Sequence, residues 1–265
     1  MGDLPQIRFR EGRPFLNVGV DFGGPFSIKE SRRRGAKVLK AYLCLFICLS
    51  TKAVHLEVVS DLSSEAFLAA LDRFLARRGL CSCIISDNGT NFVGANKDLS
   101  ARDYLTSAAT TRKIKWYFHP PSAPHFGGIY EAGIKSSKYH LKRVIGEQVL
   151  TFEELATLFS RIEAILNSLP LSQLSSDPSE LEALTPGNFL IGAPLTSVPE
   201  PDWSEVPMNR LSRWHLLQKI TQWITSSPNL NVGDLVLLND GKIRRLWVLR
   251  LTEVATSFGR FLNKN

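Results

Sequence analysis

The first third of the chain is built from short runs in which apolar residues either alternate with polar ones or follow one another without a break. Phe15–Phe22 (FLNVGVDF) reads as a short buried strand that Gly23-Gly24-Pro25 brings to an end. Val38–Leu49 and Ala53–Val59 are rich in β-branched and aromatic residues and are separated by Ser50-Thr51-Lys52, which predicts two further strands of one antiparallel meander. The period then changes. Within Ser63–Arg78 the residues Phe67, Leu68, Leu71, Phe74 and Leu75 recur at helical spacing, and Gly79 supplies a C-terminal stop. Cys81–Ser86 predicts a fourth, buried strand ending at Asp87-Asn88-Gly89. A weaker helical stretch spans Ala95–Ser107, and Lys113–Phe118 reads as a fifth strand before the proline-rich loop His119–Gly128.

Two stronger helices follow. Ile129–Ile145 is amphipathic, and Thr151–Asn167 opens on a capping box of Thr151 with Glu154 and an apolar staple of Leu150 with Leu155. Three strands, a helix, a strand, a helix and a fifth strand predict an α/β domain, a mixed five-stranded sheet flanked by helices. Ser172–Pro201, rich in Ser, Pro and Thr, reads as an extended connector, Arg210–Ile224 as one more helix, and Val232–Leu238 as the first strand of a small β module. The expected organisation is a lead-in over 1–16, a core over 17–170, a connector with a helix over 171–228, and a partial β module over 229–265.

Composition narrows the partners. The 265 residues are 44% hydrophobic and 22% charged, which excludes a wholly disordered chain, and the net charge of +7 favours a polyanion. Cys44, Cys48, Cys81 and Cys83 lack the paired spacing of a zinc site and the density of a disulfide scaffold, so buried free thiols in a reducing compartment are expected. The longest apolar run, Tyr42–Leu49, is too short to span a bilayer, and Met1–Arg10 does not read as a signal peptide, so a soluble intracellular protein is expected. The basic segment Lys29–Lys40, with Arg32-Arg33-Arg34, reads either as a DNA-contacting or nuclear-targeting cluster or as a solvated hairpin tip.

Three acids occupy positions with chemical meaning. Asp21 is placed at the end of the first strand, Asp87 at the end of the fourth, and Glu131 in the first turn of the helix after the Pro/Gly loop. Breaking or joining a phosphodiester needs an activated oxygen and relief of charge on the leaving oxygen. A pair of Mg²⁺ ions about 3.5–4 Å apart supplies both, and takes oxygen ligands. Taken singly, Asp87 also suits a turn, Asp21 precedes two glycines, and Glu131 suits a helix dipole. The helix adds a second signal: Glu131, Lys135, Lys138 and Lys142 share one stripe, with Tyr130, Ile134, Leu141 and Ile145 about a quarter turn away. Helix support between Glu131 and Lys135 accounts for one of these lysines, whereas a phosphate-binding row accounts for all three.

This order of carboxylates resembles the DDE integrase catalytic core of retroviruses and LTR retrotransposons, and the local text resembles the Bel-Pao group more nearly still. The resemblance is carried by VDFGGPF (Val20–Phe26), STKAVHLEVVSDLSSEAFLAALDRF (Ser50–Phe74), SDNGTNFVGAN (Ser86–Asn96), PPSAPHFGGIYEAGIKSSK (Pro120–Lys138) and LTPGNFLIG (Leu184–Gly192). It implies a ribonuclease H-like fold, two divalent ions (Mg²⁺ or Mn²⁺), 3′-end processing and strand transfer, DNA as partner, a homo-oligomer and action in the nucleus. Asp21, Asp87 and Glu131 would be the metal ligands, with Asn88, His125, Lys135 and Lys138 near DNA and Lys142 continuing the row. Departures are Tyr130 for the usual Trp, Asn188 for the usual His, no HHCC zinc pattern ahead of the core, and a tail that diverges after VGDLVLL. They make an excised or decayed fragment an expectation, and leave a catalytically silent DNA-binding relic as the alternative. A plain ribonuclease H-type nuclease is disfavoured by the lysine row and by the match in the connector.

Overall fold

The structure, a computed structural model, describes residues 12–105, 114–119, 128–145, 148–173, 183–193, 195, 206, 212, 215, 235–238 and 247–250. The chain forms two compact units, one holding the residues up to Leu169 with Thr185–Leu195, the other Pro170–Leu184 with Thr196–Asn265.

In the first unit β1 (Asn17–Lys29), β2 (Val38–Cys48) and β3 (Val54–Val59) are followed by α1 (Ser64–Arg78), β4 (Cys83–Ser86), α2 (Thr90–Leu105), β5 (Lys115–Phe118), α3 (Gly128–Ile145), β6 (Leu150–Thr151), α4 (Phe152–Asn167) and α5 (Pro186–Ile191). The sheet order is β3-β2-β1-β4-β5, with β6 pairing with the far end of β1. The meander is antiparallel, whereas β4 and β6 run parallel to β1 and β5 parallel to β4. The expected mixed five-stranded sheet is present, with a two-residue sixth strand that the sequence did not suggest.

One expectation is corrected. Gly23-Gly24-Pro25 does not end β1. Pairing with β2 passes from Gly23↔Leu43 to Phe26↔Ala41, so β1 carries one extra residue there, and the strand continues to Lys29. Gly24 takes a φ of 137° that L-residues rarely adopt, and Pro25, with no N–H to give a ladder, sits in the bulge where none is needed.

On one face of the sheet Val18, Val20, Cys44 and Phe46 meet Phe67, Leu71 and Phe74 of α1 and Phe92 of α2. Phe46 stacks on Phe74 at 4.4 Å, and Phe15 meets Phe74 edge-on at 5.4 Å. Phe15 is therefore a core residue in a left-handed conformation (φ 61°) and not part of a strand. Just before it, the Arg13 guanidinium donates to the carbonyls of Arg78 and Leu80 and holds this segment against the end of α1. α3 and α4 cover the opposite face, Gly133 lying against Leu45 and Phe159 packing on Phe26 at 5.7 Å.

Local signals explain the helix ends. The Ser63 hydroxyl accepts from Ala66 N, and Gly79 closes α1 at φ 81°. Thr151 and Glu154 form the expected reciprocal cap on α4, and Leu150 and Leu155 are both buried. α2 begins at Thr90, ahead of the expected Ala95.

The outer edge of β3 is closed by side chains of α4. Val54 N donates to Asn167 Oδ1 (2.8 Å), Asn167 Nδ2 donates to Val54 O (2.9 Å), and Leu56 N donates to Glu163 Oε2 (2.9 Å). Between these elements His55 is buried with Glu57 and Glu163 at 3.1 and 3.2 Å. Arg73 and Arg77, both at 2.7 Å, complete the charge balance on Glu57, and Arg78 pairs with Glu163. All four cysteines are buried, and none forms a disulfide.

The segment expected to be an extended connector contains α5. Thr185 N donates to Asn188 Oδ1 (2.8 Å), Pro186 stands in the first turn, and Gly192 ends the helix at φ 75°. In the second unit β7 (Ser172–Gln173) pairs with β8 (Ala183–Leu184), and β9 (Leu235–Leu238) pairs antiparallel with β10 (Trp247–Arg250). The helix expected over Arg210–Ile224 lies outside the described residues apart from two single positions. Among the described residues no helix is long and apolar enough to cross a membrane.

Candidate active site at the ends of the parallel strands

The parallel ladder between β1 and β4 ends at Gly19↔Ile85, and the ladder between β4 and β5 ends at Ser86↔Phe118. Asp21 and Asp87 lie just beyond the first of these ends and His119 just beyond the second. The three side chains thus form a row where the parallel pairing of β1, β4 and β5 stops, the edge at which open α/β sheets place ligands. Because β1 continues through its bulge, Asp21 is in mid-strand and not at a strand end as expected; the parallel pairing is what stops there.

α3 brings in Glu131. The helix crosses β1 over two glycines: a Cβ on Gly19 would lie 2.7 Å from the Tyr130 ring, and one on Gly23 3.0 Å from Ile134. Side chains alternate along a strand, so Asp21, between Gly19 and Gly23, faces α3. Tyr130, Ile134 and Leu141 are buried, while Glu131, Lys135 and Lys142 are exposed and Lys138 is half-buried. An open groove of about 510 Å³ results, with Asp21 and Glu131 on it, Lys135, Lys138 and Lys142 along it, and Ile134 and Tyr139 as its apolar part.

The charges act on one another. Asp21 is half-buried and accepts from Phe22 N at 2.7 Å. Burial pushes its carboxyl up to about 6, the Phe22 N–H opposes this, Asp87 and Glu131 add to it, and Lys138 opposes it. Asp87 accepts from Gly89 N (2.9 Å), so it shapes the turn as well as lying beside Asp21. The end of β4 is held by Trp116 Nε1 donating to Ser86 Oγ and by Asn88 Nδ2 donating to His119 O (2.6 Å). Asn88, expected near DNA, is exposed and through this bond also stitches β4 to β5.

Carboxylate oxygens are the donors that a hard divalent cation takes, and a cation would relieve the mutual repulsion of these acids. Among the described residues, however, no three His, Cys, Asp or Glu side chains are gathered closely enough to hold a metal ion. Asp21, Asp87 and Glu131 are neighbours in charge without being gathered into one cluster. His125 lies outside the described residues.

Sequence reasoning passed over His119 and Tyr139. The His119 ring is 5.6 Å from that of Tyr130, and burial lowers its pKa against the pull of Asp87. Its position directly after a predicted strand was the available signal. Tyr139, one residue after Lys138, is exposed on the groove.

No protein-family model and no curated protein sequence matches the chain. Among solved structures it is similar to a chain of the simian T-cell lymphotropic virus intasome in complex with PP2A regulatory subunit B56 gamma. The TM-score is 0.50 and the identity 14%, over 95% of this chain and 82% of that one. It is also similar to the HTLV-2 integrase catalytic core domain in complex with magnesium (trimeric form), with a TM-score of 0.43 and 17% identity over 63% of this chain and 95% of that one. Identity at this level speaks for the path of the chain and not for its chemistry. The sheet order, the flanking helices and the first of these likenesses agree that the fold is ribonuclease H-like, the mixed-sheet architecture of retroviral integrase cores.

Proposed function

We propose that this chain is the catalytic core of a retroelement integrase of the Bel-Pao kind, which trims the 3′ ends of element DNA and joins them to target DNA. The observation that supports this most directly is the convergence of Asp21 and Asp87 just beyond the end of the parallel pairing of β1 with β4, with Glu131 and three lysines on one groove with Asp21. Asp21, Asp87 and Glu131, once drawn closer together than they stand here, would hold two divalent ions, Mg²⁺ or Mn²⁺. Bound there, the ions supply activation of the attacking oxygen and charge relief on the leaving oxygen. Lys135 and Lys138 bind phosphates next to the scissile bond and orient it against Asp21, and Lys142 binds the strand further along. Joining two ends to chromosomal DNA calls for a homo-oligomer acting in the nucleus.

A second reading, a catalytically silent DNA-binding protein of the same fold, draws on the open spacing of the three carboxylates. One experiment separates the two. The chain is incubated with paired duplex ends and a target duplex in Mg²⁺ or Mn²⁺, beside its Asp87→Asn variant. Cut and joined products from the native chain alone support the enzyme. DNA binding without products under either metal supports the silent reading, and the absence of binding defeats both.

A further inference from the structure

Resting on that reading of the groove, we infer that the tip of the β1–β2 hairpin is a second phosphate-contacting surface, placed where duplex DNA arrives after leaving α3. α3 travels along β1 in the same direction, Tyr130 over Gly19 and Ile134 over Gly23. Its 18 residues span about 27 Å. The chain then returns through β6, which pairs Leu150 with Ile28 and Thr151 with Lys29, the last residues of β1. The hairpin therefore rises from the end of β1 toward which the lysine row points.

The tip is a formed turn. Glu30 N donates to Lys37 O (3.0 Å), Ala36 N donates to Arg33 O (3.2 Å), and Gly35 takes a φ of 77°. Lys29–Lys40 carries six Lys and Arg against one acid, Glu30. Arg32 is turned back onto Glu154 at 3.2 Å, which anchors the hairpin to the start of α4. Arg33, Arg34, Lys37 and Lys40 are exposed, and among the described residues none of them makes an ion pair. Like charges concentrated on a braced turn repel one another, and a polyanion relieves that repulsion by releasing its counter-ions. A hairpin that served only solubility would not need its one partnered arginine to fix the direction of the rest.

The length of α3 corresponds to about eight base pairs at 3.4 Å per step. A duplex seated at Asp21 must extend beyond that before it meets the hairpin, and the test uses this dependence on length. Fluorescence anisotropy across a salt series compares the native chain with the Arg33→Gln/Arg34→Gln/Lys37→Gln variant on duplexes of about 8 and about 30 base pairs. Arg32 is retained to keep the hairpin anchored, thermal denaturation checks the fold, and Lys52→Gln measures the effect of one exposed charge in the β2–β3 turn. The variant is expected to bind the long duplex more weakly, with a log K against log salt slope shallower by about 0.9 for each phosphate that is no longer neutralised, and to bind the short duplex as the native chain does. Unchanged affinity and slope on the long duplex overturn the inference, as does an equal loss on both lengths. Loss of binding to anionic lipid vesicles with DNA binding intact assigns the tip to membranes and overturns it too. A chain that never cuts DNA but shows the length-dependent slope loses only the enzymatic reading. Unaltered slopes in a chain that does cut DNA defeat only the hairpin.

Discussion

Asp21 and Asp87 occupy equivalent positions in the sheet, each two residues beyond Gly19↔Ile85, the last pair of the parallel β1/β4 ladder. Backbone register alone sets them side by side, so their proximity survives changes in either side chain. Asp87→Asn keeps the oxygen that accepts from Gly89 N and removes only the charge. Cutting and joining should fall by about 100-fold or more, with folding stability within about 0.5 kcal/mol of the native chain. Single-turnover assays and urea denaturation check both halves; native-rate catalysis by the variant would reduce Asp87 to a turn residue.

The lysines should separate by position. Lys138 is half-buried and acts on Asp21, while Lys142 lies one turn further along α3. Lys135→Gln/Lys138→Gln should impair joining more than nonspecific DNA binding. Lys142→Gln should lower affinity alone and reduce the salt slope by about 0.9. If joining, affinity and slope all survive the double change, the row is a solvated helix face.

Gly19→Ala tests the seating of α3. Its new methyl would meet the Tyr130 ring at 2.7 Å and must push the helix outward, taking Glu131 with it. A loss of about 1–3 kcal/mol is expected from overpacking, together with a fall in activity larger than the fraction unfolded explains. Full activity in the folded variant would mean that Glu131 does not depend on this packing.

The His55 cluster makes stability depend on pH. Burial lowers the His55 pKa, but hydrogen bonds to Glu163 and Glu57 outweigh it and leave the folded value raised. This contribution is full below the unfolded histidine value and is lost as pH rises through the folded one. Burial raises the Glu57 pKa, but hydrogen bonds from His55 and Arg73 outweigh it and leave the folded value lowered. That contribution is present above the unfolded value and disappears as pH falls through the folded one. Melting temperature should therefore be highest between roughly pH 4.5 and 6.5 as far as this pair is concerned. His55→Gln should flatten the decline on the alkaline side, and an unaltered profile would assign that decline elsewhere.

Asn167 offers a check on the sheet edge. Asn167→Ala leaves Val54 N and O without their partners in a buried setting, and should cost about 1–3 kcal/mol in chemical denaturation. It should also promote self-association, because the freed edge can pair with another strand. A variant as stable and as monodisperse as the native chain would show that solvent replaces the amide without loss.

Much of this fold was legible where one physical signal dominates. β2 and β3 follow from their β-branched runs, α1 from the spacing of Phe67, Leu71 and Phe74, and the start of α4 from Thr151 and Glu154. The misses share a cause, which is that tertiary packing decides what local patterns leave open. Gly-Gly-Pro reads as a turn and becomes a bulge because Phe26–Lys29 finds partners on β2 and β6. Among the described side chains of α2 the buried ones are Phe92 and Ala95, too few to set a period, and the six residues of α5 are too short to have one. In the site, Asp21, Asp87 and Glu131 could be named from their neighbours in sequence. His119 had only its place after a predicted strand to mark it, because its position beside Asp87 exists only once β5 has docked on β4.

The bulge in β1 works as a phase shifter. Upstream, Gly19, Asp21 and Gly23 face α3; downstream, Phe26 packs on Phe159 of α4 and Ile28 is buried, so the inward set moves from odd to even numbers. Regular pairing of the same sequence, without the bulge, would turn Ser27 and Lys29 inward and Phe26 and Ile28 out to water. Adding residues between Glu30 and Lys37 would disturb neither set, since the loop returns to the same closing pair. Among descendants of this chain Phe26 should accordingly stay in phase with Asp21, through the bulge or through a regular strand one residue shorter, while the hairpin lengthens or shortens freely, so that reach along a polyanion can evolve without moving the carboxylates.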